Sequence, residues 1–341
     1  MKNKTQGISR RQFMYRTGAL AGLAATSMAF GGKVFAGTSN NFPSQTMQVL
    51  IPTGEGGGVD RVVRAFNSVW GKHLGENFEY SYFPGAAGQV GYETFMGRRD
   101  ANGYNLLFGN IGPEMIMYGT HDTGFSYPED FTYFAGVDSD DSVIWVANDS
   151  PFKTIEDLVE AGQSQRINFS TSRIPHPSSL GVLALAEATG ADFNLVPYGG
   201  GNAARSAAVT GEVDACTTFL GTSLSISDQV RFLTVFNDEN RMPSLTNNAP
   251  AVNSVFDTSI PVLSGNRAWA IHNSVIEEYP ERYEILKDTI KKVFEDSELE
   301  NALDRSGVPP EFSQYLDEKE CAALAKSFLD LTERYKDALT G

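Results

Sequence analysis

The stretch that most limits what this chain can fold into is Leu50-Ile51-Pro52-Thr53-Gly54-Glu55-Gly56-Gly57-Gly58-Val59-Asp60. Met47, Val49, Leu50 and Ile51 lead into it and read as a strand. Val62, Val63, Phe66, Val69 and Trp70 follow it at helical spacing. A glycine-rich strand-to-helix turn leaves backbone N–H groups free at the positive end of the helix, where anions settle. Its glycines also permit positive φ and keep Cβ atoms out of a ligand's way. Two phosphate patterns fail here. A Walker loop needs lysine after its last glycine, and none follows. A dinucleotide fingerprint needs a third glycine where Val59 stands. A smaller anion such as a carboxylate stays open, beside the plainer alternative of a tight β–α turn with no ligand.

At 341 residues the chain has room for two domains, and its 41% hydrophobic content is that of a globular protein. Its first 36 residues differ from the rest. Ser9-Arg10-Arg11-Gln12-Phe13-Met14 is a twin-arginine sequence, Thr17 to Phe30 a mildly apolar Ala/Gly-rich segment, and Val34-Phe35-Ala36 a small-residue cleavage site. The expectation is a twin-arginine signal peptide over 1–36, cleaved after about Ala36, and a periplasmic mature protein. The segment holds six basic residues and no acid, so its removal takes the net charge from −15 to −21. A body this acidic does not track nucleic acid or an anionic membrane surface. No later apolar run is long enough to span a bilayer.

Cys216 and Cys321 lie far apart, and two buried free thiols are expected rather than a disulfide. His73, His121, His176 and His272 are scattered, so neither a metal nor a cofactor is expected. Further strands are expected near 78–83, 105–109, 143–146, 167–170, 194–198, 213–217, 231–236 and 267–271, with helices between them. Two long polar helical stretches, 275–297 and 317–338, close the chain. Alternating strands and helices predict parallel sheets with ligands at the strand C-terminal ends. Thr53–Gly58, Pro84–Gly88 and 109–112 would then face one crevice, and Asp138-Ser139-Asp140-Asp141 reads as an acidic turn.

Five motifs in order carry a resemblance: Ile51-Pro52 with Gly56-Gly57 and Asp60, Pro84-Gly85-Ala86-Ala87-Gly88, Asp100 with Gly103-Tyr104 and Leu106-Leu107, Val196-Pro197-Tyr198 with Gly200, and Gly211-Glu212-Val213-Asp214. The set, spread over residues 46–338, resembles the periplasmic solute receptors of tripartite tricarboxylate transporters, the Bug receptor family. The resemblance implies an α/β, type II periplasmic-binding-protein fold: two α/β lobes, two crossover segments and a ligand cleft between them. The expected division is 46–141 plus 264–341 for one lobe and 142–263 for the other. It further implies a small organic acid, a di- or tricarboxylate or an aromatic acid, delivered to the membrane permease subunits of a secondary transporter by a monomeric, non-enzymatic receptor.

Carried onto this chain, the resemblance puts first-lobe ligand contacts at Thr53, Gly54, Glu55, Gly56, Gly57 and Gly58. Asp60 is read as fixing the loop rather than touching the anion, since like charges repel. Gly85 and Gly88 are read as loop support. In the second lobe the contacts fall on Ser178 and Ser179, with Tyr198 and Thr218 beside them. There the chain departs from its relatives, reading Pro175-His176-Pro177-Ser178-Ser179 where they commonly have Gly-Thr-Ser-Ser-His. Arg173 and His176 are additions. Arg173 reads either as a bidentate clamp on a distal carboxylate or as a solvated loop arginine paired with an acid. Two rivals stand beside the transport receptor. One is a periplasmic sensing module presenting the ligand to a signalling receptor. The other is an exported hydrolase, disfavoured because no G-x-S-x-G elbow is present.

Overall fold

The computed structural model describes residues 41–340. Two mixed sheets organise them. The first has the order β12-β4-β11-β3-β1-β2, from β1 (Met47–Ile51), β2 (Phe78–Tyr82), β3 (Asn105–Asn110), β4 (Phe131–Asp138), β11 (Arg267–His272) and β12 (Ser313–Leu316). The second has the order β10-β5-β8-β6-β7, from β5 (Asp140–Ala147), β6 (Ile167–Thr171), β7 (Phe193–Pro197), β8 (Ala215–Phe219) and β10 (Ser264–Gly265), with β9 (Val230–Val235) also paired to β5. The expected parallel core holds for β1 with β2 and β3, and for β6 with β7 and β8. The rest departs from it. β11 returns antiparallel between β3 and β4, and β5 is antiparallel to β8, because both strands belong to the segments that cross between the sheets.

The helices follow local signals. α1 (Gly58–Leu74) stops where Gly75 takes a left-handed φ of 85° and returns its N–H to Gly71. α2 (Gln89–Arg98) and α3 (Ile111–Thr120) follow β2 and β3. α4 (Ile155–Gly162) starts on a reciprocal cap between Thr154 and Asp157. α5 (Pro177–Thr189), α6 (Gly201–Val209), the short α7 (Leu220–Ser223) and α8 (Val252–Phe256) complete the second sheet's surroundings. The first long C-terminal stretch is split. Pro280 cannot continue a helix, so α9 (Asn273–Glu278) ends before it and α10 (Pro280–Glu295) starts on it. α11 (Glu298–Arg305), α12 (Glu318–Arg334) and α13 (Lys336–Thr340) end the chain, and Asp317 caps α12.

Side-chain alternation along the first sheet feeds two apolar layers. Val49, Phe108 and Trp269 point toward α1 and α10, where the Trp269 ring meets Trp70 edge-on at 4.9 Å and lies tilted 4.7 Å from Phe108. Leu50, Leu107, Ala268 and Ala270 point toward α3 and α12. The second layer runs on between the sheets. A Cβ on Gly112 of α3 would lie 2.8 Å from Pro177 of α5 and 2.9 Å from Phe328 of α12, so only glycine allows this approach. Cys216 and Cys321 are buried and free. Among the described residues no helix is long and apolar enough to cross a membrane, and no group of His, Cys, Asp and Glu is placed to hold a metal.

The chain crosses between the sheets twice, from β4 to β5 through Ser139 and from β10 to β11 through Asn266. The acidic sequence there is not a surface turn. Asp138, Asp140 and Asp141 are each at most 2% exposed. Charge neutralisation explains how they are tolerated. Arg267, buried itself, pairs with Asp138 and lies 3.4 Å from Asp140, while Arg241 bonds Asp141 at 2.8 Å. Asp138 also accepts the Arg267 backbone N–H at 2.9 Å, and Asp140 accepts the Gly221 N–H at 2.8 Å. Burial still pushes Asp140 up to about 6, against the Arg267 charge.

Replacing Arg267 by Met strands two buried carboxylates. Chemical denaturation is expected to show a loss of roughly 3–5 kcal/mol. The double variant Asp138→Asn, Arg267→Met is expected to lose less than Arg267→Met alone, and equal losses would refute the pairing.

Candidate functional site

β1 delivers the chain into the glycine loop, and the loop opens into α1. Of its glycines only Gly56 needs a left-handed backbone, at φ 77°, whereas Gly57 sits at φ −77° as the residue before the helix. Backbone strain on substitution therefore belongs to Gly56, not Gly57. Asp60, 4% exposed, organises the turn. It accepts the Gly56 N–H at 2.8 Å and bonds from Arg64 Nε at 2.7 Å and the Tyr82 hydroxyl at 2.6 Å. Burial opposes its charge, but the bonds from Tyr82, Gly56 and Arg64 win and hold the carboxyl below the usual range. Glu55 turns outward to Arg64 at 3.4 Å. Gly85 and Gly88, both at positive φ, form the turn into α2, and Gly88 packs under Pro52. No side chain caps α1, so the N–H groups of its first turn have no partner within the helix.

These N–H groups border a cavity of about 950 Å³. Gly56, Gly57, Gly58 and Arg61 form one wall, and Gly199 to Asn202, with Arg205, form the facing wall. The facing wall repeats the first one's construction. β7 runs into a glycine triplet, and α6 starts after Gly200 with no side-chain cap. Gly221 and Thr222 of α7, Asp304 in the last turn of α11 and Gly307 just after it also line the cavity. Arg205 is braced by bonds to the Thr222 carbonyl and the Asn202 side chain. Arg61 is exposed and makes no ion pair among the described residues. Two uncapped helix starts, each with an arginine one turn in, thus face one space of ligand size. Gly199–Gly201, Arg61 and Arg205 were absent from the contacts expected from sequence, although the triplet after a strand is the same signal as the first loop.

The second-lobe residues expected at the ligand lie elsewhere. His176 is buried and caps α5, its Nδ1 accepting from the Ser178 N–H at 3.2 Å and bonding the Ser178 hydroxyl at 2.8 Å. Its ring lies 4.3 Å from that of Phe219. Burial, with the charge of Arg173, holds the imidazole well below its ordinary value, so it is neutral. Ser179 bonds the Thr171 hydroxyl at 2.9 Å and the Arg173 carbonyl at 3.1 Å. The hydroxyls of Ser178 and Ser179 are thus spent inside the protein, a correction to their expected role as donors to an anion. Thr218 is buried against Ser223 at 3.0 Å, and the Tyr198 hydroxyl donates outward to Glu212 at 2.9 Å.

A second polar group lies around Glu114, which is 2% exposed in the first turn of α3. Its Oε2 accepts from the Asn110 N–H at 2.5 Å and from Tyr92 at 2.9 Å, and Tyr92 bonds Tyr133 behind it. Burial pushes the carboxyl up to about 7 against those bonds and the charge of Arg173.

The chain was compared with known proteins. The family described as "Tripartite tricarboxylate transporter family receptor" matches residues 62–269. A UPF0065 protein from the TAR-I ttuE-ttuC' intergenic region of Agrobacterium vitis is 27% identical over 190 residues, and the match spans 55% of this chain and 55% of that protein. A TctC solute-binding protein from Polaromonas superposes with a TM-score of 0.72 at 21% identity, covering 87% of this chain and 99% of that one. The R. palustris protein Rpa4515, solved with adipate, superposes with a TM-score of 0.70 at 18% identity, covering 87% and 98%. At these identities the two structures establish the two-lobed fold.

The loop geometry separates neighbouring glycines. Gly56→Ala is expected to cost about 1–2 kcal/mol in chemical denaturation through left-handed strain, while Gly57→Ala stays within about 0.5 kcal/mol of wild type. The buried Glu114 has a pH signature of its own. A carboxyl raised on folding favours the native state while protonated in both states, below about 4.5, and loses that contribution as the pH rises through about 7. Between pH 5 and pH 8, Glu114→Gln is therefore expected to lose less stability than wild type. Parallel pH curves for the two proteins would contradict this.

Proposed function

Because the chain belongs to the tripartite tricarboxylate transporter receptor family, we propose that it is an exported receptor. It captures a small organic carboxylate between its lobes and delivers it to a membrane permease. The observation that carries this reading is the facing pair of uncapped, glycine-bordered helix starts across a cavity of about 950 Å³, with Arg61 and Arg205 in its walls. Each backbone N–H bond to a carboxylate contributes about 1.5–3 kcal/mol. A few of them, after association costs, give binding of roughly micromolar strength. The adipate held by the R. palustris relative supports a carboxylate as the ligand.

No bond is made or broken in this reading. The two lobes close on the ligand by movement about the two crossovers, at Ser139 and Asn266 rather than at 141 and 264 as expected from sequence. Export by the twin-arginine route, with cleavage after about Ala36, fits the order of basic, apolar and small residues in 1–36, which lie outside the described residues. The first-loop residues Gly56, Gly57 and Gly58 are the family-derived contacts that this reading keeps. Gly199–Gly201, Arg61 and Arg205 join them as this chain's own contribution.

A thermal-shift panel of four- to six-carbon organic acids, followed by calorimetry, tests the assignment. At least one acid is expected to raise the melting temperature by mass action. Arg61→Ala is expected to weaken that acid several-fold without changing the melting temperature of the free protein. A flat panel, or unchanged affinity in both Arg61→Ala and Gly200→Val, would remove the cavity from consideration. Co-purification with a small membrane permease subunit supports delivery to a transporter, and capture by a signalling receptor instead would overturn it.

A further inference from the structure

The strands that cross between the lobes run between two apolar layers. Along β5, Val143 and Trp145 belong to the layer of α1 and α6, while Ile144 and Val146 belong to the layer of α3, α5 and α12. The cavity of about 950 Å³ lies on the first face, between the starts of α1 and α6. On the second face the lobes touch. Pro177 of α5 abuts Gly112 of α3 beside Phe328 of α12. Further along the same helices, Glu187 of α5 accepts from Arg334 Nη2 at 2.6 Å and from the Tyr335 hydroxyl at the end of α12. Nearer the crossovers, Arg241, in the loop after β9, donates to Gln314 of β12 at 2.7 Å. Each of these bonds joins one lobe to the other.

The contact at Glu187 is a tie across a gap. A groove of about 400 Å³ lies beside it, lined by Ala184 and Ala188 of α5, by Ile260 and Pro261, and by Leu331 of α12. The helices can part there without opening a filled core. Because the crossovers lie between the two faces, a hinge rotation that brings α1 toward α6 carries α12 away from α5. Closing the cavity and keeping the Glu187 tie therefore compete.

We propose that Glu187 with Arg334 and Tyr335, and Arg241 with Gln314, form a latch on the face opposite the cavity, which holds the ligand-free receptor open and must release when the lobes close. None of the five lines the cavity. They set affinity from a distance, because a ligand that needs the closed form binds in proportion to the fraction already closed. The latch rests on the reading that the lobes close around this cavity, and it adds residues that tune that closure without touching the ligand.

The ligand-free protein provides the first test. Spin labels on Ser68→Cys in α1 and Ser206→Cys in α6, both exposed positions, report the distance between the lobes. Cys216 and Cys321 are buried and stay unlabelled. Adding Glu187→Ala and Gln314→Ala, which remove exposed or half-buried bonds, is expected to raise the short-distance fraction roughly two- to fivefold. An unchanged distance distribution would overturn the latch. For an acid that the wild type binds, the same two substitutions are expected to tighten binding by a similar factor, and weaker or equal binding would also overturn it. The reverse experiment joins Glu187→Cys to Arg334→Cys with a short, reductant-cleavable cross-linker. The joined protein is expected to bind that acid about tenfold more weakly or worse, with recovery on reduction; full affinity in the joined form would refute the competition. If no acid binds the wild type, the receptor reading falls by itself, and the distances in the free protein still decide the latch.

Discussion

The structure depends on one arginine placed between two carboxylates where the chain passes from lobe to lobe. Asp138 ends β4 and Asp140 opens β5, so the first crossover brings two acids into the interior one residue apart. Uncompensated, each would cost several kcal/mol. Arg267, the first residue of the returning strand, lies beside both. Its position also ties the hinge to the cavity. The guanidinium lies 3.2 Å from where a Cβ of Gly58 would be, and Asp140 holds the N–H of Gly221. Gly58 and Gly221 both line that space. The buried ion pairs at the crossing therefore abut the cavity, and any opening about the crossovers works against them rather than against a loose linker.

What was legible in the sequence follows a physical division. Elements whose signal is local were readable: the strand, glycine loop and helix at 47–74, the Thr154 start of α4, and the repeated strand–turn–helix units that imply two α/β lobes. Asp60 was readable as well, because a carboxylate four residues after a glycine can reach back only to the turn it follows. The Gly199–Gly201 wall was equally local, and the same rule applied a second time would have found it. The crossovers were not readable. Asp138 and Arg267 are separated by 129 residues, and a run of three acids in sequence resembles a solvated turn. Only the fold supplies the counter-charge that lets such a run go inside. Ser178 and Ser179 failed for a different reason. Hydroxyls near a helix start are as able to satisfy a neighbour as a ligand, and here His176, Thr171 and the Arg173 carbonyl reach them first.

Electrostatics is the remaining difficulty for an anion receptor whose residues 37–341 carry a net charge of −21, from the −15 of the whole chain less six basic residues. Long-range attraction cannot bring the ligand in, and screening only weakens the repulsion. The local arrangement reverses the sign over a short distance. Around the cavity, Arg61 and Arg205 outnumber Asp304, and two uncapped helix starts add fixed partial positive charge. Deeper in, burial carries the Glu114 carboxyl up to about 7, so it is about half protonated at neutral pH and adds less negative charge than an exposed acid would.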